Sequence, residues 1–284
     1  MDNHHILDDR AENKGRHERV SNDKGTRAGQ PGAIIVGAST GMGAALARQL
    51  VAKGYQVALI GRQTEKLEEL ANTLNAAAAA KTVTPVAQLY AHDVRDGDAV
   101  PGLLEQIRRD MGRNGGELSV VVYAAGVMPP SEDGEWSFAD ERLMIETNVI
   151  GAMAWLNTSA AVMKRMGHGT LVGISSVAGD RGRKGNSAYM ASKAALSTYL
   201  ESLRYRLHGS GVRVVTVKPG FVATPMTAGM KLPKPLTISA DQAAGAIARQ
   251  CQKGKSVAYV PGYWRLIMLV IKSLPASLMV RLPI

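Results

Sequence analysis

From Ala33 onward, short apolar runs alternate with longer stretches of mixed character. The runs cover 33–36, 56–60, 86–90, 119–123, 170–174, 213–217 and 256–260. They are predominantly apolar, the pattern of central strands in a parallel sheet that is buried on both faces. Between them, 42–53, 64–80, 97–111, 138–166, 187–208 and 239–253 carry apolar residues three and four apart and predict helices. Strand and helix repeated in this order predict an α/β fold. The expectation is a doubly wound parallel sheet of about seven strands between two helical layers, in one domain over 31–260. The alanine run 76–80 suits the end of a helix before the turn at Pro85.

The two ends depart from this rhythm. Residues 1–30 lack periodic apolar positions and carry six acidic and six basic residues, so a disordered tail is expected there. The tail has neither the apolar core of a secretory signal nor the acid-poor character of a transit peptide. Its His4, His5 and His17 read as solvated residues, and no metal site is predicted. The extension 261–284 mixes Trp264, Arg265, Lys272 and Arg281 with the run Leu266–Ile271, and Pro275 interrupts it. Such a segment describes a helix lying in a membrane interface, a cover over a substrate cleft, or a subunit contact. No apolar run reaches the roughly 18 residues of a membrane span.

Charge sharpens this division. The net charge is +10, yet twelve basic residues and one acidic residue, Asp241, follow Glu201. The excess of positive charge therefore belongs to the C-terminal part alone. Aromatic content is 5% and no nucleic-acid-binding module is recognisable, so nucleic acid is not an expected partner. The single cysteine, Cys251, excludes an intrachain disulfide and fits a reducing, cytoplasmic setting.

Candidate chemistry begins where the first strand ends. Gly37, Gly41 and Gly43 permit a tight turn and close approach of a pyrophosphate, and a helix N-terminus follows to supply amide donors. Ser39, Thr40 and Met42 complete this loop. The second strand ends in Gly61-Arg62, with no carboxylate for a ribose and a guanidinium suited to a 2′-phosphate, which favours NADP over NAD. Tyr189 and Lys193 lie four apart on one helix face. A lysine ammonium there is expected to lower the phenol pKa, making Tyr189 a proton donor and acceptor near neutrality. Ser176, thirteen residues earlier at a strand end, is placed to hold a carbonyl oxygen.

These residues resemble those of the short-chain dehydrogenase/reductase family over roughly 33–260, which implies a Rossmann-type fold. Gly37, Gly41 and Gly43 fall on its glycine motif, and Asp93-Val94 on its adenine-contacting pair. Ala124-Ala125-Gly126 falls on its NNAG motif, and Asn148 on its helix asparagine. Ser176, Tyr189 and Lys193 match its catalytic trio; Pro219, Gly220, Val222 and Thr224 lie in its PGxxxT motif beside the nicotinamide. Val36 stands where the family usually has threonine, and Ala124 replaces an asparagine.

The resemblance implies hydride exchange between NADP(H) and a ketone or secondary alcohol, with reduction the expected direction. Tyr189 is implied as general acid, Ser176 as the group that positions the carbonyl, Lys193 as ribose ligand, and Asn148 as the holder of a relay water. It further implies a homo-oligomer, dimer or tetramer. In the family, the variable substrate pocket is built from loop 223–237 and the C-terminal region, whose apolar character here favours a lipophilic substrate. Contact of that region with a membrane surface is a further expectation. A catalytically idle NADP-binding sensor or scaffold is the alternative, and it predicts a damaged catalytic set. His92, beside Asp93, reads as a packing residue.

Overall fold

The computed structural model describes residues 29–281, save Lys81, Val83, residues 130–136 and Gly254. The tail expected over 1–30 thus lies outside the described residues except for its last two, and Gln30 already belongs to a strand. Nine strands are described. Seven form one sheet: β1 (Gln30–Val36), β2 (Gln56–Gly61), β3 (Ala87–Ala91), β4 (Gly116–Tyr123), β5 (Gly169–Ile174), β6 (Val212–Pro219) and β9 (Val257–Val260). Their order is β3-β2-β1-β4-β5-β6-β9, and every neighbouring pair is parallel. The chain runs outward from β1 in one direction through β2 and β3, then returns to the other side of β1 with β4. The strand order therefore reverses between β1 and β4, and the crevice beyond their C-terminal ends is where such sheets bind ligands.

Strand periodicity places neighbouring residues on opposite faces. Ile35 joins Leu46 and Leu50 of α1 (Gly41–Ala52), Leu67 and Leu70 of α2 (Thr64–Ala78) and Ile247 of α7 (Ala240–Lys253) in one buried cluster. Ile34 joins the cluster on the other face, with Leu104 and Ile107 of α3 (Val100–Arg113), Trp155 of α5 (Gly151–Met166) and Leu200 of α6 (Ser187–Arg206). These two clusters make the three-layer α/β/α architecture.

The helix expected over 138–166 is divided. It begins as α4 (Phe138–Ile145), widens into a π-helical turn at Glu146–Ile150 and continues as α5. The buried Tyr123 hydroxyl donates to the Thr147 carbonyl in this turn. Gly151 follows because a Cβ there would stand 2.7 Å from the Tyr123 oxygen and 2.8 Å from the Val94 carbonyl oxygen. π-Turns recur at functional sites, and this one carries Asn148.

Beyond Pro219 the chain forms a two-stranded parallel ribbon that the apolar pattern does not predict, β7 (Phe221–Ala223) with β8 (Thr237–Ser239). After β9 come α8 (Trp264–Ser273) and α9 (Ala276–Met279). Trp264 and Met268 of α8 build a third, smaller core with Val177, against which Phe221, Leu236 and Tyr259 pack. Beneath it the Asp180 carboxylate pairs with Lys218 and accepts a 2.7 Å hydrogen bond from the Tyr259 hydroxyl. The extension is thus joined to the body through one face of α8.

Candidate active site

The glycine loop between β1 and α1 is shaped by close approach. Gly37 has φ +89°, and a Cβ on it would lie 2.5 Å from the Ala125 nitrogen. A Cβ on Gly43 would fall 2.0 Å from the Gly37 carbonyl oxygen. No other residue fits either position without moving backbone. Thr40, the residue preceding α1, makes no side-chain capping bond, so the first-turn amides of Gly41, Met42 and Gly43 present an uncapped, positively polarised helix end. A glycine cradle and an uncapped N-terminus are the features a dinucleotide pyrophosphate requires.

The far side of this cradle is Thr224, whose Cβ lies 3.5 Å from the position of a Cβ on Gly41. Thr224 belongs to the turn that follows β6 and β7, where Val222 is buried and its carbonyl accepts from the Thr227 hydroxyl at 2.9 Å. Pro219 ends β6, and Gly220 donates its N–H to the Val260 carbonyl at 2.9 Å. Gly220 has a second constraint absent from the motif: a Cβ there would lie 1.8 Å from the Trp264 indole nitrogen.

At the end of β2, Gly61 leaves room beside Ser39, whose hydroxyl oxygen would be 3.6 Å from a Cβ at position 61. Arg62 is half exposed and reaches within 3.8 Å of Asp93. The Asp93 carboxylate is gripped more closely by Arg95, through Nε at 3.0 Å and Nη2 at 2.6 Å. These bonds from Arg95 are the main reason the Asp93 carboxyl is held at about 2. Arg95 was not singled out from the sequence, although a second cation two residues after the aspartate is visible there. Val94 beside it is buried. His92 packs edge-on to Trp155 with ring centroids 5.5 Å apart, and burial pushes its pKa down.

The candidate catalytic residues come from three elements. Ser176 opens the 3₁₀ turn Val177–Asp180 after β5, and its hydroxyl accepts from the Ala178 amide at 3.0 Å. Ser175 next to it donates to the Lys193 carbonyl at 2.8 Å, and Gly179 packs so tightly that a Cβ would be 2.5 Å from the Lys193 carbonyl carbon. The serine turn is thereby pressed onto α6, the helix that carries Tyr189 and Lys193. Asn186 caps that helix, accepting from the Tyr189 amide at 2.9 Å. Lys193 is buried; its ammonium donates to the Ile174 carbonyl at 3.0 Å and stands 5.7 Å from the Tyr189 ring centroid.

Asn148, fully buried in the π-turn, accepts from the Val127 amide at 2.8 Å and donates to the Val127 carbonyl and the Ser192 hydroxyl, both at 3.0 Å. Its amide thus fixes the loop after β4 against α6. Asn148 and Lys193 converge on Gly126: a Cβ there would meet the asparagine oxygen at 3.3 Å and the ammonium at 3.4 Å. Ala125 and Gly126 therefore join the glycine loop to these side chains.

The electrostatics correct one expectation. In this structure the Tyr189 pKa is raised, not lowered: burial is the larger influence, and the Ser176 hydroxyl opposes it. Burial also pushes Lys193 down to about 8. Desolvation, which disfavours both charged forms, outweighs the expected attraction between them.

This geometry accords with the comparisons with known proteins. Residues 32–234 match the family described as short chain dehydrogenase. The chain belongs to the short-chain dehydrogenase family. Among relatives of the same kind, an uncharacterized oxidoreductase of Myxococcus xanthus is 38% identical over 82% of this chain and 88% of its own length. Another, from Mycobacterium tuberculosis, is 32% identical over 88% of this chain and 96% of its own. In fold, the chain is similar to an actinorhodin polyketide ketoreductase solved with NADPH (TM-score 0.71, 23% identity, covering 82% of this chain and 97% of that one). It is equally similar to ElxO solved with NADP (TM-score 0.72, 20% identity, covering 84% and 99%). Within the short-chain dehydrogenase frame, the roles not anticipated from sequence are those of Arg95, Ser175, Asn186 and Ser192, and the contact of Trp264 with Gly220. Ser175, Ser192 and Trp264 act through partners distant in the chain, Asn186 through a backbone amide of its own helix, and Arg95 through the carboxylate two residues before it.

Proposed function

We propose that the protein is an NADPH-dependent reductase of ketones, acting on apolar substrates. The observation that carries this reading is the convergence of Lys193, Asn148 and the glycine loop on the Ala125-Gly126 turn, with Tyr189 and Ser176 beside it. The Gly37–Gly43 cradle and the α1 N-terminus would hold the pyrophosphate, and Ser39, Arg62 and Arg95 would surround the 2′-phosphate. The bound nicotinamide supplies the hydride.

Ser176 accepts a carbonyl substrate into its hydrogen-bonding range, and Tyr189 donates the proton to the carbonyl oxygen. Burial keeps Tyr189 protonated at neutral pH, the state a proton donor needs. Lys193 is charged below about pH 8 and stabilises the phenolate left after donation. Asn148 holds the loop after β4 and α6 in register, which keeps Lys193 beside the tyrosine. The apolar character of the substrate rests on Met226, whose methyl group stands 3.8 Å from a Cβ position on Gly126, and on the exposed Met230 in the same loop.

The test is NADPH oxidation over a panel of apolar ketones and acyl thioesters. Turnover is expected with at least one apolar ketone and its loss in Tyr189→Phe, which should still bind NADPH. Comparable turnover in that variant would overturn the reading.

A further inference from the structure

We propose that the outward face of α8 and α9 docks the protein on an anionic lipid surface. Helix α8 has two apolar faces where folding needs one. Trp264 and Met268 point inward and are buried. Leu266, Leu269 and Val270 point away from the body and remain 68%, 66% and 55% exposed; Leu278 and Val280, in and just after α9, are exposed as well. A helix whose second apolar face is left in water has the character of an interfacial helix, provided that cations accompany it. No described helix is long and apolar enough to cross a membrane, so the geometry is one of lying on the surface.

The cations are present. Arg265 and Lys272 are exposed and seven residues apart, which is two helical turns and hence one flank of α8. After Asp241 the sequence contains six basic residues and no acidic one. Asp180, the carboxylate beneath the helix, is 1% exposed and paired with Lys218. A second copy of the chain would bring the same uncompensated cations face to face. Anionic headgroups complement them instead, each Lys or Arg near such a surface adding to binding.

The docking face also leads toward the site. The Tyr263 hydroxyl, at the start of α8, donates to the Leu236 carbonyl at 3.3 Å. Leu236 closes the loop that carries Met226 and Met230, and Met226 reaches Gly126. An apolar molecule leaving the lipid therefore meets methionine side chains before it meets the candidate catalytic groups. The docking itself does not depend on the reductase reading.

The experiment is flotation of the full chain with phosphatidylcholine vesicles, with and without phosphatidylglycerol. Binding is expected only with phosphatidylglycerol and should weaken as salt is raised. The triple change Leu266→Asp, Leu269→Asp and Val270→Asp should abolish it while NADPH binding and the melting temperature stay as in the parent. Arg265→Gln and Lys272→Gln, each alone, should lower the apparent partition coefficient about fivefold. The proposal is overturned by any of three results: no flotation with anionic vesicles, equal flotation with pure phosphatidylcholine, or light scattering that shows a dimer which the triple variant dissociates.

Discussion

The cofactor side and the substrate side of the molecule are specified in different ways. On the cofactor side, residue identity is set by contact distances. Gly37 and Gly43 face backbone atoms 2.5 Å and 2.0 Å from where a Cβ would sit, and the neighbouring strand β2 is buried along its whole length. On the substrate side, from β6 to the C-terminus, the chain is held by a short ribbon, 3₁₀ turns and a small core around Trp264. It leaves Met230, Leu266 and Leu269 in solvent and carries the excess of positive charge. The first region is shaped by close backbone contacts; the second is held by fewer and looser ones.

The sharpest way to break this contrast is by adding one methyl group. Gly43→Ala should destabilise the fold by about 3 kcal/mol or more, because the opposing atom is backbone that has nowhere to go. Gly262→Ala, on the substrate side with nothing near its Cβ position, should stay within about 0.5 kcal/mol. Equal melting temperatures for the two variants would contradict the contrast. Gly220→Ala tests a substrate-side glycine that is locked by a side chain. It should cost about 2 kcal/mol and red-shift tryptophan emission as the indole of Trp264, 3% exposed in the parent, is pushed out. An unchanged spectrum would show that α8 gives way without cost.

Smaller effects concern charge. Arg62→Ala should weaken NADPH about tenfold and NADH about twofold or less, the difference being one charge-assisted contact to the 2′-phosphate. Equal losses would remove the phosphate assignment. The rate of ketone reduction should fall as pH rises through about 8. Lys193 loses its charge there, and the phenolate left on Tyr189 then lacks its ammonium. The proton is lost from a lysine whose folded pKa lies below its ordinary value, so the decline begins earlier than an exposed lysine would allow. A rate flat to pH 10 would contradict that role.

How much of this was legible in the sequence depends on whether the determining contact is local. The seven sheet strands are, since burial of the central ones on both faces makes most of their positions apolar. So are the glycine loop and the Tyr189–Lys193 pair, whose spacing is a property of one helix. The π-turn at Glu146–Ile150 is not, because its Thr147 carbonyl is taken by Tyr123, 24 residues away. The Asp180, Lys218 and Tyr259 cluster joins three elements and leaves no mark in any of them. The direction of the Tyr189 shift is illegible for a related reason: the neighbouring charge is visible in the sequence, whereas the depth of burial is not. The helical character of α8 is legible as a mixed apolar and basic run, but which face meets the body is decided by Val177 and Phe221.

In the proposed reaction Tyr189 passes a proton to a carbonyl oxygen while a nicotinamide bound in the Gly37–Gly43 cradle reduces its carbon. The most direct measurement uses NADPH deuterated at both C4 positions of the nicotinamide, the ketone selected by the oxidation panel, and mass spectrometry of the alcohol formed. Deuterium is expected on the carbinol carbon with the parent protein and almost none with NADPH-saturated Tyr189→Phe. Alcohol without label from the parent, or equal labelled product from both proteins, would contradict it.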